Sequence, residues 1–213
     1  MVCFEGGDGM GKATQSKLLA DKLGAKLISF PRYETEIGKV ILGSIKGEWA
    51  AWTIGREVED RHDVDELLRS PVNALVRQAL FLMDRYNTAP IIEGYLASGT
   101  DVVLDRYWPS GVVYGASDGL DENMLIRVHM RLPQPDVWIL LDGPVEESTR
   151  RRPERRDQYE KDDRADWRRQ AYLGLFVHQQ GNWFVTNALG TVYEVHEHVL
   201  KCCRFVFGAD FLK

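Results

Sequence analysis

The feature that most constrains this chain is a glycine-rich run met almost at once. Val2, Cys3 and Phe4 are largely apolar, and Glu5-Gly6-Gly7-Asp8-Gly9-Met10-Gly11-Lys12-Ala13-Thr14-Gln15 follows. Leu18, Leu19 and Leu23 then recur at helical spacing. The order is strand, tight loop, helix, and Gly6 to Gly11-Lys12 has the spacing G-x-x-x-x-G-K. Glycines let backbone N–H groups converge into a concave nest, and the first turn of a helix leaves its amides free at the positive end of the dipole. The expected phosphate cradle is therefore Gly9, Gly11, Lys12, Ala13 and Thr14, with Lys12 reaching between the β- and γ-phosphates of a nucleotide. A Ser or Thr, placed to meet magnesium, ordinarily follows the lysine. Ala13 stands there instead, and Thr14 supplies the next hydroxyl. The rival reading, a glycine turn before an ordinary surface helix, does not account for strand, turn, lysine and helix coinciding.

The rest of the chain alternates in the same way. Residues 25–30 read as a second strand closed by Pro31, and Thr35 is placed to cap a helix through Ile45. Residues 47–70 read as loop with a helical piece. A helix is expected from Pro71 to Ala89, packed through Leu75, Ala79, Leu82 and Tyr86 and ended by Pro90, with a short helix following to Ser98. Val102-Val103-Leu104 and residues 137–141 are apolar almost throughout, as in strands covered on both faces. Between them falls a helix near residues 121–130. Residues 146–156 and 163–179 read as helices, the latter with Trp167, Ala171, Leu175 and Val177 as packing groups. A fifth strand spans 183–186 and a last helix 191–207. Strands alternating with helices behind such a loop define an α/β fold, a doubly wound five-stranded parallel sheet in one domain over residues 1–213. Its ligand crevice lies beyond the carboxyl ends of the strands.

Several polar residues gather at those ends. Asp105 closes the buried strand where a carboxylate meets magnesium directly or through water. Arg106 follows it, and with Arg85 could clamp a second phosphate group. Phe81 lies one turn before Arg85, so a base on the ring and its phosphate on the guanidinium would use one helix face. Asp8 would repel triphosphate if it faced the nest, and makes better sense turned toward a sugar hydroxyl of another substrate. Five arginines fall between Arg150 and Arg156 (Arg150, Arg151, Arg152, Arg155 and Arg156). Such a cluster suits a lid over about 146–160 that closes on the transferring phosphoryl group.

Composition narrows the partners. The net charge of −5 over 213 residues argues against a nucleic-acid backbone as partner. Three cysteines without metal spacing fit a reducing, cytoplasmic setting. No apolar run is long enough to span a bilayer.

With these motifs in hand, the chain resembles the thymidylate kinase family along nearly its whole length. The resemblance rests on residues 4–15, on Phe30-Pro31-Arg32-Tyr33-Glu34-Thr35-Glu36-Ile37-Gly38, on Leu80-Phe81-Leu82-Met83-Asp84-Arg85, on Asp105-Arg106-Tyr107-Trp108-Pro109-Ser110 with Tyr114, and on Pro135-Asp136 through the arginine lid to Tyr159-Glu160. It implies ATP- and Mg²⁺-dependent phosphorylation of thymidine monophosphate by a homodimer. Phe81 would stack on thymine, Arg85 and Arg106 would bind the acceptor phosphate, and Ser110 and Tyr114 would line the pocket, Tyr114 near the deoxyribose. Asp8 would accept from the 3′-hydroxyl, Asp105 and Thr14 would place the metal, and Lys12, Arg106 and lid arginines (Arg150, Arg151, Arg155, Arg156) would act on the transferring group. The family pattern is broken at Gly9, an arginine in some members, and at Gly115, a glutamine in many. Two other readings remain open here: a broader deoxynucleoside monophosphate kinase, and a non-catalytic module switched by nucleotide.

Overall fold

A computed structural model describes residues 1–46, 71–151, 159 and 163–212. The expectation for 47–70, and the lid residues Arg152, Arg155 and Arg156, lie outside the described residues. In chain order the elements are β1 (Val2–Glu5), α1 (Lys12–Leu23), β2 (Lys26–Ser29), α2 (Glu36–Lys46), α3 (Pro71–Ala97), β3 (Val102–Asp105), α4 (Trp108–Ser117), α5 (Glu122–His129), β4 (Val137–Asp142), α6 (Val145–Arg151), α7 (Ala165–His178), β5 (Trp183–Asn187) and α8 (Val192–Phe207), then a short 3₁₀ turn.

The strands form one parallel sheet in the order β2-β3-β1-β4-β5. Strand side chains alternate between faces. Val2, Phe4, Val103, Ile139 and Leu141 pack with Leu19 of α1 and Val195, Val199 and Leu200 of α8. Cys3, Leu104, Trp138 and Leu140 point the other way, onto Ile92 of α3, Val112 and Val113 of α4, and Tyr172 and Phe176 of α7. Both faces are thus covered, which is why β3 and β4 read as unbroken apolar runs. The order reverses at β1, between β3 and β4, and the loop after β1 opens there.

Local chemistry sets the element ends. The Thr35 hydroxyl accepts from the Gly38 N–H at 3.0 Å, the expected cap of α2. A Cβ at Gly38 would sit 1.8 Å from the Arg32 carbonyl oxygen, so only glycine lets α2 approach that turn. Thr191 and Glu194 form a reciprocal capping box at the start of α8.

Three expectations are corrected. Pro90 does not end its helix: α3 runs through it to Ala97. Proline removes one helical donor, but Ala89 and Ile92 on either side are both seated in the core, so packing holds the helix across the break. The packing face of α3 is also different. Leu75 is 50% exposed and Ala79 and Tyr86 lie outward, while Arg77, Gln78, Asp84, Arg85 and Thr88 are buried. This helix turns its polar face inward because a cavity lies there. In α7, Trp167 and Val177 are exposed, and Arg168, Tyr172, Leu175 and Phe176 are buried.

Candidate active site

The loop between β1 and α1 is shaped by close backbone approach. Gly6 has φ of 136°, and a Cβ there would lie 2.4 Å from the Leu141 carbonyl oxygen. Gly11 caps α1 with no side-chain bond to its N-terminus. The first-turn amides therefore keep their hydrogen-bonding capacity for an anion. Lys12 lies back along the loop and donates from Nζ to the Gly7 carbonyl at 2.7 Å. Burial, and then the positive charge of Arg106, pull its pKa down to about 8. Gly9, Gly11, Lys12, Ala13, Thr14, Asp105, Arg106 and Arg151 line one cavity of about 720 Å³.

Asp105 sits at the end of β3, opposite Phe4 of β1 and Ser29 of β2. Its Oδ1 is buried and has no hydrogen-bond partner among the described residues. Among the described residues no cluster of three or more His, Cys, Asp or Glu side chains could hold a metal. Any metal here would draw ligands from phosphate and water as well as from the protein.

Arg106 is the junction of the site. Its backbone has φ of 66°, a left-handed conformation uncommon outside glycine. The guanidinium donates to Asp8 Oδ1 (2.5 Å), Gly6 O (3.2 Å), Ser110 Oγ (3.1 Å) and Tyr172 Oη (3.3 Å). Tyr114 donates to the other Asp8 oxygen at 3.0 Å. Asp8 is thus turned out of the phosphate nest, onto an arginine and a tyrosine.

A second, smaller cavity of about 100 Å³ adjoins the first and shares Asp8 and Arg106 with it. Phe81, Arg85, Ser110 and Tyr114 line it, together with Gln78 and Gly111. Arg85 is not a surface arginine. Its Nε has no partner, and it makes no ion pair among the described residues. Burial lowers its pKa. Its Nη1 lies 3.4 Å from His129 Nε2, and His129 Nδ1 lies 2.6 Å from the Leu125 carbonyl. A carbonyl only accepts, so Nδ1 carries the proton and Nε2 presents a lone pair to Arg85. Burial, then the Arg85 charge, bring the His129 pKa down to about 3.

The arginine-rich segment begins on α6, which is docked against the loop. Ser148 donates to the Asp8 carbonyl at 2.5 Å. Arg151 reaches Gly9 O (3.5 Å) and Ala188 O (3.0 Å) and pairs with Glu147. Arg150 is also paired with Glu147 but points to solvent. Of the two described lid arginines, Arg151 is the one over the phosphate loop.

Sequence reasoning gave no role to Glu5, Gln78, His129 or Tyr172. Glu5 is fully buried, and its carboxylate accepts from Tyr107 N (2.7 Å), Ser110 N (3.3 Å) and Ser110 Oγ (2.6 Å). The N-cap residue of α4 has no capping side chain of its own. Glu5 serves that end from another strand. The available signal was a carboxylate closing a buried strand, the same signal that marked Asp105. No spacing in the sequence marks the other three.

The fold and this pair of cavities define a nucleotide-binding P-loop protein with room for a second small anion beside the first. The profile of the thymidylate kinase family matches residues 61–199. A probable thymidylate kinase of Pyrococcus horikoshii is 32% identical, over 95% of this chain and 95% of its own length. Human thymidylate kinase is 27% identical over 93% of this chain and 87% of its own length. The structure of thymidylate kinase from Candida albicans superposes with a TM-score of 0.75 at 22% identity, covering 100% of this chain and 92% of the other. The chain belongs to the thymidylate kinase family. It is a nucleoside monophosphate kinase, and its reaction is phosphorylation of thymidine monophosphate to the diphosphate.

Proposed function

We propose that the phosphoryl donor is ATP, bound with Mg²⁺ at the loop between β1 and α1, and that the acceptor lies in the cavity of Phe81, Arg85 and Tyr114. The observation that carries this reading is the shared wall: Asp8 and Arg106 line both cavities, so two bound anions would meet at Arg106. An acceptor phosphate oxygen attacks the γ-phosphorus, the bond to the β-phosphate oxygen breaks, and ADP leaves. That oxygen is already an anion at neutral pH, so positioning and charge stabilisation suffice without a strong base.

Lys12 and the loop amides from Gly9 to Thr14 hold the donor phosphates. The unpartnered Asp105 oxygen fits a metal ion or its bound water, with Thr14 in the same cavity. Magnesium, when bound, neutralises charge on the donor phosphates. Arg106 and Arg85 bind and aim the acceptor phosphate, Phe81 stacks on the base, and Ser110 keeps Arg106 in place. Asp8 and Tyr114 face the sugar, with Asp8 accepting from the 3′-hydroxyl. Arg151 covers the donor, assisted by Arg150, Arg155 and Arg156 as the lid closes and excludes water.

The protein works as a homodimer, an assignment supported by the outward apolar stripe of Leu75, Met83 and Tyr86 on α3, beside the exposed Val128 whose carbonyl accepts from Tyr86 Oη. Light scattering after gel filtration tests it, and a monomeric mass at micromolar concentration refutes it. A cytoplasmic setting is supported by three unpaired cysteines, Cys3, Cys202 and Cys203. Among the described residues no helix is long and apolar enough to cross a membrane.

The test of the chemistry is a coupled assay with ATP, Mg²⁺ and a panel of nucleoside monophosphates. Thymidine monophosphate should be turned over fastest, and Lys12→Ala should lower turnover far more than acceptor affinity. Near-normal turnover by Lys12→Ala would refute the role given to the loop.

A further inference from the structure

The buried arginine of the acceptor cavity has an unusual companion. Arg85 is 3% exposed, and its only hydrogen-bond contact among the described residues runs from Nη1 to His129 Nε2 at 3.4 Å. Buried cations ordinarily sit against a carboxylate. Glu5 and Asp84 act on Arg85 through space, but each is engaged elsewhere. Glu5 accepts from Tyr107 and Ser110, and Asp84 accepts from the Arg32 N–H at 2.9 Å. What reaches the guanidinium is a neutral imidazole.

That imidazole is locked in place. His129 Nδ1 is committed to the Leu125 carbonyl one turn earlier on α5, so Nε2 can only accept. The α4 backbone closes over the contact. A Cβ at Gly111 would stand 2.9 Å from Arg85 Nη1 and 3.0 Å from both Cε1 and Nε2 of His129. Glycine at 111 therefore lets α3, α4 and α5 meet at this pair. With Nη1 taken, Nε and Nη2 remain, the two donors of the guanidinium's side-on fork, and Nε is buried without a partner. Such a fork matches two oxygens of a phosphate. A neutral acceptor fixes the guanidinium and leaves its full charge to an incoming anion, where a carboxylate would share it.

We propose that His129 is a positioning residue for phosphoryl transfer: its Nε2 lone pair holds Arg85 Nη1, so that the Nε–Nη2 fork meets the acceptor phosphate while the guanidinium charge stays uncompensated. This inference rests on the acceptor placement given under Proposed function.

The test titrates thymidine and its monophosphate calorimetrically into the protein without ATP. The ratio of the two Kd values isolates what the phosphate contributes, and the unaltered protein should bind the monophosphate far more tightly. His129→Gln keeps an acceptor near the position of Nε2 and should hold that preference within about threefold. His129→Leu removes the acceptor and should cut the preference about tenfold or more, the effect of one hydrogen bond to a charged group, with thymidine affinity unchanged. His129→Glu discriminates further. A carboxylate would grip Arg85 more firmly, yet it should also cut the preference about tenfold or more, because it competes with phosphate for the guanidinium. A merely structural histidine predicts the reverse for that variant. In steady state, His129→Leu and His129→Glu should raise the KM for the acceptor and leave the KM for ATP unchanged.

A folded His129→Leu or His129→Glu with the preference intact overturns the inference. So does equal weakening of thymidine and its monophosphate, or a loss in His129→Gln as large as in His129→Leu. Should His129→Leu fail to fold, His129→Gln against His129→Glu carries the test. If the unaltered protein binds thymidine and its monophosphate equally, the acceptor placement itself falls. If it prefers the monophosphate and no His129 variant alters that, only the role of His129 falls.

Discussion

The buried carboxylate of Glu5 offers a demanding test, because its work can be counted bond by bond. It accepts from two backbone N–H groups, those of Tyr107 and Ser110, and from the Ser110 hydroxyl. In Glu5→Ala the hydroxyl retains Tyr172 Oη at 2.8 Å, so it is not stranded. The N–H groups of Tyr107 and Ser110 lose the Glu5 oxygen that accepts from them. At about 1–3 kcal/mol for each unsatisfied buried donor, the loss is roughly 2–6 kcal/mol. For a chain of this size about 1 kcal/mol moves the melting temperature by about 2–4 °C, so a fall on the order of 10 °C is expected. Glu5→Gln keeps one acceptor oxygen and should lose less than half as much. Differential scanning calorimetry reads both. Steady-state kinetics add a second measure, since loosening Ser110 loosens Arg106 and should raise the acceptor KM. If Glu5→Ala melts within about 3 °C of the parent, the capping argument fails. If Glu5→Gln is as damaging as Glu5→Ala, charge rather than acceptance is what matters.

Other expectations follow from the same geometry. Phe81→Ala should raise the KM for the acceptor about tenfold or more through loss of stacking, with the KM for ATP unchanged; an equal rise in both would remove the ring from the base site. Lys12 must be protonated to hold phosphate and has a pKa of about 8 in the free protein, so the KM for ATP should climb as pH rises above that value, by up to about tenfold per unit, and a flat profile from pH 7 to 9.5 contradicts the assignment. His129 is neutral in the fold down to about pH 3 but takes up a proton below about 6.5 when unfolded, so the stability it supports is present above 6.5 and is lost as pH falls toward 3. Between pH 6.5 and 5 the parent should lose on the order of 2 kcal/mol more than His129→Gln in urea denaturation, and parallel losses would show that His129 is not the titrating group.

What the sequence made legible was what local chemistry dictates. The loop spacing, Asp105 after an apolar run, and the two-sided strands β3 and β4 all follow from residue order, and the structure has them in place. The Thr35 cap and the Arg85–Phe81 face were readable for the same reason. Beyond the exposed Trp167 and Val177 of α7, the misreadings concern α3, where periodicity reports a stripe but not which way it faces. Leu75 and Tyr86 do lie on one side, yet that side is outward, because the opposite side must carry Gln78, Phe81 and Arg85 to the cavity. Pro90 was read by its local cost, which the core contacts of Ala89 and Ile92 outweigh. Glu5 and His129 act through partners about 100 and 44 residues away, on Ser110 and Arg85, and no window along the chain brings those together.

The left-handed backbone at Arg106 carries a consequence for anyone altering this protein. Alanine and glycine at that position both abolish the side chain's work, yet only glycine is at ease with the main-chain angle, by roughly 1–2 kcal/mol. Arg106→Gly should therefore melt above Arg106→Ala while being just as inactive. The gap between the two inactive proteins measures what the chain gives up in rigidity of design to hold a cation between its two substrates.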